Sequence, residues 1–269
     1  MVLCFFLKAQ SQVPDSAKLK NTFRFSKSIF GDFTFLDVDV FGNLYVITKD
    51  NQLKKINANG DSIASYNNIK KFGNPTSIDV SNPFRILVFY KPYATIVILD
   101  QLLTFRGLID LKKINLFAVK TVAASSDNYT WIFDAQNFTI KKIDDKGNVL
   151  IESNDLRQML EEVPAPILLI EHDKLLFLYD QNKGIFIFDI YGAYKFKWSF
   201  IKKCNFVGFI NNDVYGFKDN QLFISDLKKL LIEEYTLPDF ISNYLSAKIF
   251  YEKLYLLKKD KIEIYDINR

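Results

Sequence analysis

A chain of 269 residues with 49% hydrophobic and 16% aromatic content can bury a large core, which excludes a disordered segment. Its 35 basic and 31 acidic residues are interspersed and leave a net charge of +4, so nucleic-acid binding is permitted by composition without being implied. Two cysteines and a single histidine exclude the ligand spacings of a structural zinc site.

The chain starts with a short apolar run, Val2 to Leu7, followed by Lys8-Ala9-Gln10-Ser11-Gln12. Ala9 and Ser11 suit signal-peptidase cleavage. The run is short for a signal core and lacks a basic start, so residues 1–11 read as the remnant of a signal peptide that starts upstream. An exported, periplasmic location is expected. Removal of that segment leaves Cys204 as the one thiol, with no internal disulfide and the character of a small buried hydrophobe. No apolar run approaches the roughly 20 residues that span a bilayer, so any membrane contact is expected to be peripheral.

Residues 13–20 are polar and read as loose. Asn21 to Ile29 alternates, with Phe23 and Phe25 on one face, and reads as a strand without a neighbour to pair with. The first full unit runs from Phe33 to Tyr66. It has strands at Phe33–Asp39, Leu44–Thr48, Leu53–Ile56 and Ser62–Tyr66, separated by Gly-, Asn- and Asp-rich turns. The second, Thr76 to Leu108, carries the continuous apolar runs Ile86–Phe89 and Ile96–Leu99, which suit strands buried on both faces. The third, Thr121 to Ser153, repeats the scheme in TWIFDAQNFTIKKIDDKGNVL. Asn154 to Glu162 is the best helix candidate, with Asn154 or Asp155 as cap and Val163-Pro164 as stop. In the fourth unit, Pro166 to Phe200, Tyr194, Phe196, Trp198 and Phe200 share a face. The fifth spans Asn205 to Leu237. The sixth, Asn243 to Asn268, ends after its third strand.

The third strands end at Asn57, Asp100, Asp144, Asp189, Asp226 and Asp266, a repeat of roughly 40 residues with four strands per unit. That is the period of a β-propeller blade, a small sheet with two apolar faces that must stack against its neighbours. The expected fold is therefore all-β: a six-bladed β-propeller in a single domain, residues 19–269. The sixth unit lacks a strand and the first strand lacks a partner, so the N-terminal strand is expected to close the last blade.

The repeat resembles the six-bladed NHL-like and BamB-like propellers, most clearly in DAQNFTIKKIDDKGNVL and KDNQLKKINANGDSI. It departs from WD40 repeats, since no blade has a Trp-Asp ending. The resemblance implies a ring scaffold that binds proteins or small molecules on one face. The aromatic- and Lys/Asn-rich style and the Ala9-Gln10-Ser11 junction also resemble exported proteins of the Bacteroidota. Among those, such propellers serve as accessory parts of outer-membrane secretion or assembly machinery.

Several candidate sites can be named. The recurring aspartates read as turn caps rather than a ring of carboxylates. His172, between Glu171 and Asp173, reads as a solvated turn histidine. No phosphate loop and no Ser/His/Asp grouping is evident, so no catalytic residue, metal or cofactor is expected. The second-to-third-strand and blade-to-blade loops of a propeller share one side. There the sequence places Lys49, Lys70, Lys71, Lys91, Lys112, Lys113, Lys202 and Lys203, with Phe72, Tyr93, Phe240 and Tyr244 interleaved. Such a face could steer and anchor an acidic protein partner, although Asp50, Asp134, Asp180, Asp219 and Asp260 occupy the same loops. The expected function is a non-enzymatic exported propeller docking a protein in an envelope complex. The alternative is a metal-dependent hydrolase of the lactonase type, with Asp37, Asp39, Asp79 and Glu171 as carboxylates near the inner strands.

Overall fold

The structure, a computed structural model, describes residues 22–226 and 232–268. The signal-like segment, Cys4 and residues 13–20 lie outside the described residues. The described chain folds into six four-stranded antiparallel sheets arranged as the blades of a β-propeller. The first strand of each blade lines the ring axis: Phe33–Val38, Ser77–Asp79, Val119–Ala124, Leu168–His172, Phe206–Ile210 and Ser246–Phe250. Two ends result. A turn end carries the first-to-second and third-to-fourth strand turns, and a loop end carries the second-to-third and blade-to-blade loops.

The closure expected from the sequence is present. Phe23–Phe30 pairs antiparallel with Lys261–Ile267, from Phe23 opposite Ile267 to Phe30 opposite Lys261, and becomes the outermost strand of blade 6.

Burial follows from the stacking. The core is six hydrophobic clusters, one at each seam between neighbouring blades. The middle strands Ile86–Tyr90 and Thr95–Leu99 are buried at every residue, since both of their faces meet another blade. On the outermost strand of blade 4 the shared aromatic face is only partly covered. Trp198 is buried, whereas Phe196 and Phe200 are exposed because no further strand flanks them. Cys204 is 1% exposed and packs in the seam of blades 4 and 5, where burial pushes its thiol up to about 11.

The repeated cap positions act through backbone hydrogen bonds. Asn57 accepts from the N–H groups of Asn59 and Asp61, Asp100 from Leu102 and Thr104, Asp144 from Lys146 and Asn148, and Asp189 from Tyr191 and Ala193. Gly147, at φ 88°, takes the left-handed turn position after Asp144. Asp266 pairs with Lys253 at 2.5 Å. The expected helix at 154–162 is a single turn, Leu156–Met159, capped by Asp155 accepting from Arg157 N–H. Only Leu156 and Leu160 reach the core there, too few to extend an amphipathic face.

Glu263 locks the closing sheet. Its carboxylate accepts from Lys258 and Lys261, each at 2.8 Å, and from the Tyr265 hydroxyl at 2.9 Å. Burial works against its charge, but those three donors outweigh it and hold its pKa down at about 2. A lowered folded value stabilises above the ordinary glutamate range and is lost as pH falls through about 2. About 3 kcal/mol is therefore expected to disappear on acidification. Glu263→Gln should flatten this acid limb, read as the difference in Tm between about pH 5 and about pH 2.

Candidate functional site

The turn end of the axis gathers charged groups from several blades. Asp37 sits near the end of the inner strand of blade 1, Asp79 at the end of that of blade 2, and Lys248 in the middle of that of blade 6. Lys248 Nζ lies 2.6 Å from Asp37 Oδ1, joining the last blade to the first across the ring closure. About a third of the Lys248 side chain (32%) stays accessible, so solvent reaches this pair. Burial opposes the Lys248 charge, but Asp37, Tyr215 and Asp79 outweigh it and raise its pKa above the ordinary lysine value. Asp79 is pushed the other way for a carboxylate. Burial raises it and the Asp37 charge adds to the shift, against hydrogen bonds from Ser81 and from the Ala124 N–H at 2.7 Å. Tyr215 completes the group, its hydroxyl accepting from Ile249 N–H at 3.0 Å. A Cβ on Gly208 would meet that hydroxyl at 2.5 Å, so the residue facing Tyr215 must lack a side chain.

His172 stands at this same end, closing the inner strand of blade 4. It is not the solvated turn residue expected. It is half-buried, stacks on Phe209 with centroids 4.4 Å apart, and its Nε2 is 2.5 Å from the carbonyl of Asn211. A nitrogen facing a carbonyl carries a proton, so Nδ1 is the ring nitrogen that can accept one.

The other candidate carboxylates serve the scaffold. Asp39 is 1% exposed and accepts from Phe41 N–H, Asn43 N–H, the Asn43 amide and the Tyr45 hydroxyl. Glu171 accepts from Ser125 Oγ and Trp131 Nε1, both at 2.5 Å, and from Ser126 N–H at 2.9 Å, tying blade 4 to blade 3. Asp37, Asp39, Asp79 and Glu171 therefore do not form a ligand set. Among the described residues no three His, Cys, Asp or Glu side chains converge on one point. The cation beside the axial carboxylates is Lys248 itself, so a metal-dependent site does not fit these residues.

At the loop end, the topology collects the predicted lysines on one side of the ring. Lys70, Lys71, Lys91, Lys112, Lys113, Lys202 and Lys203 are exposed and make no ion pair among the described residues, whereas Lys49 pairs with Asp32 at 2.9 Å. Two of the opposing aspartates are turned inward. Asp134 and Asp180 are buried caps, and Asp134 is neutralised by Lys141 at 3.0 Å. The aromatic residues divide. Tyr93 and Phe240 are exposed, but Phe72 is 7% exposed and packs on Tyr90, because its one-turn helix lies down over the seam of blades 1 and 2. Tyr244 donates its hydroxyl to the Asp219 carbonyl and packs against Phe217. Neither Phe72 nor Tyr244 is free to anchor a partner.

No protein-family model matches the chain, and no curated protein matches it in sequence. Solved structures do. Virginiamycin B lyase from Staphylococcus aureus superposes with a TM-score of 0.57 at 18% identity, covering 87% of this chain and 80% of that one. A streptogramin B lyase gives 0.59 at 18% identity over 87% and 78%. The WD40 domain of Neurospora crassa Pan2 gives 0.63 at 11% identity over 96% and 98%. The likeness is one of fold. It corrects the expectation that the chain is not an enzyme, because two of these similar structures are lyases. That expectation rested on the lack of a contiguous catalytic motif, whereas a propeller site is assembled from residues on different blades.

Proposed function

We propose that the protein is a propeller enzyme that cleaves an ester by acid–base chemistry at the turn end of its axis. The observation that carries this reading is the solvent-reached Lys248–Asp37 pair, with Asp79 beside it. An ester's leaving oxygen becomes anionic as its bond to carbon breaks, and an ammonium held charged by the Asp37 carboxylate 2.6 Å away is suited to receive it. His172, with Nε2 held by the Asn211 carbonyl, presents Nδ1 as the ring nitrogen to take the proton, either from substrate carbon in an elimination or from water in a hydrolysis. The fold-level likeness to two lyases supports an enzyme on this scaffold. One of the similar solved structures is a catalytically inactive histidine-to-alanine variant of virginiamycin B lyase with quinupristin.

The test is incubation with quinupristin and with δ-valerolactone, followed by mass spectrometry. Opening of either ring is expected, with a loss of about 100-fold or more in Lys248→Met and in His172→Ala. Turnover of neither compound, or a Lys248→Met variant as active as its parent, overturns the reading.

A second reading concerns the other end. The seven loop-end lysines that make no ion pair among the described residues form a basic field, and two of the five loop aspartates, Asp134 and Asp180, are buried; that arrangement favours an acidic protein surface.

A further inference from the structure

A cavity lies over the ring closure. The first-to-second-strand turn of blade 6 is a tight two-residue turn, Tyr251-Glu252, with Tyr251 at φ 50°. It leaves a half-open cavity of 710 Å³ between the corresponding turns of blades 5 and 1. The walls come from separate parts of the chain: Arg24 of the N-terminal strand, Phe41 of blade 1, Asn211 of blade 5, and Phe250, Tyr251 and Glu252 of blade 6.

Three features of this cavity point to one class of ligand. First, Arg24 and Glu252 carry opposite charges and have no side-chain partner among the described residues, although Lys253 and Asp266 in the same wall pair with each other. Second, their backbones are two strands apart. Arg24 lies opposite Asp266, and Ile267 donates its N–H to the Glu252 carbonyl, so the two residues are roughly 10 Å apart at the backbone and both line the cavity. Third, the cavity wall also carries aromatic residues, with Phe41 and Tyr251 63% and 65% exposed. A guanidinium suits a carboxylate, a free carboxylate suits an ammonium, and exposed rings suit an apolar or aromatic side chain.

We propose that this cavity binds a zwitterionic amino acid or short peptide with an apolar ring, its carboxylate on Arg24 and its ammonium on Glu252. Because the walls include the N-terminal strand and both neighbours of blade 6, the ligand staples the ring shut, and its binding appears as added stability.

The probe is phenylalanylglycine, followed by thermal shift and calorimetry on the full chain, with its N-acetyl form and its C-terminal amide as controls. The free dipeptide is expected to raise Tm saturably. Blocking either terminus, or introducing Arg24→Gln or Glu252→Gln, should weaken binding by about tenfold or more. Lys248→Met should bind as the parent does, which separates this site from the axial one. The proposal is overturned by absence of a saturable shift with the free dipeptide. It is equally overturned by unchanged affinity in both Arg24→Gln and Glu252→Gln, or by loss of binding in Lys248→Met, which would place the ligand on the axis.

Discussion

Deleting the chain through Phe30 is expected to abolish cooperative folding. The strand it removes serves two seams at once. Phe23, 5% exposed, belongs to the cluster between blades 5 and 6, and Ile29, 8% exposed, to the cluster between blades 6 and 1. Without it, the edge of Lys261–Ile267 loses its hydrogen-bonded partner and the ring becomes open at blade 6. Lys27 also donates to the Ala58 carbonyl of blade 1, so the strand, paired with blade 6, ties both sides of the closure. Point variants grade the effect. Phe23→Ala should cost about 3–5 kcal/mol and Ile29→Ala about 2–5 kcal/mol, each lowering Tm by on the order of 10 °C. Calorimetry of the deletion protein decides the matter, since a sharp transition within a few degrees of the parent would show that the other seams hold the ring unaided.

The second large effect is expected at Glu171. Its carboxylate takes three donors from blade 3, and one of them is the indole N–H of Trp131, a fully buried side chain. Burial raises the Glu171 pKa, but the hydrogen bonds from Ser125, Ser126 and Trp131 outweigh it and bring it below the ordinary glutamate value. A neutral amide in its place presents a single acceptor atom and turns two N–H donors on groups that are themselves donors. Glu171→Gln should therefore cost about 3–5 kcal/mol, from lost charge-assisted bonds and stranded donors. The sign of the pH dependence follows from the lowered value. The contribution is complete above the ordinary glutamate range and fades as pH falls through the folded pKa, so the deficit of Glu171→Gln should shrink in acid. Urea melts of parent and variant at neutral and acidic pH measure this. A variant as stable as its parent at neutral pH would mean that blades 3 and 4 are held by their hydrophobic cluster alone.

The architecture was legible because each blade repeats the same local chemistry. The positions Asn57, Asp100, Asp144 and Asp189 fix the same turn by the same two backbone bonds, so sequence spacing alone marks the blade period. Closure by the N-terminal strand was legible as an unpaired strand and an incomplete blade. The axial group was not. Asp37 and Lys248 are 211 residues apart and meet only because the ring closes. Glu171 and Asp79 look alike in sequence, yet Glu171 takes three donors from blade 3, whereas Asp79 takes one N–H from that blade and is held towards its neutral form by burial and by the Asp37 charge. Phe72 was misplaced because a four-residue helix, Ile69–Phe72, turns it inward from a stretch that reads as loop.

The pairing that closes the ring also brings the two ends of the described chain together, with Asn268 N–H donating to the Thr22 carbonyl at 2.8 Å. A short linker between these points would make the backbone a continuous loop, and each blade-to-blade loop would become an equivalent place to cut it. The protein should therefore accept circular permutation. Each permuted chain would shift the burden of closure to another blade without altering the seams, and would show whether closure at another blade can replace closure at blade 6.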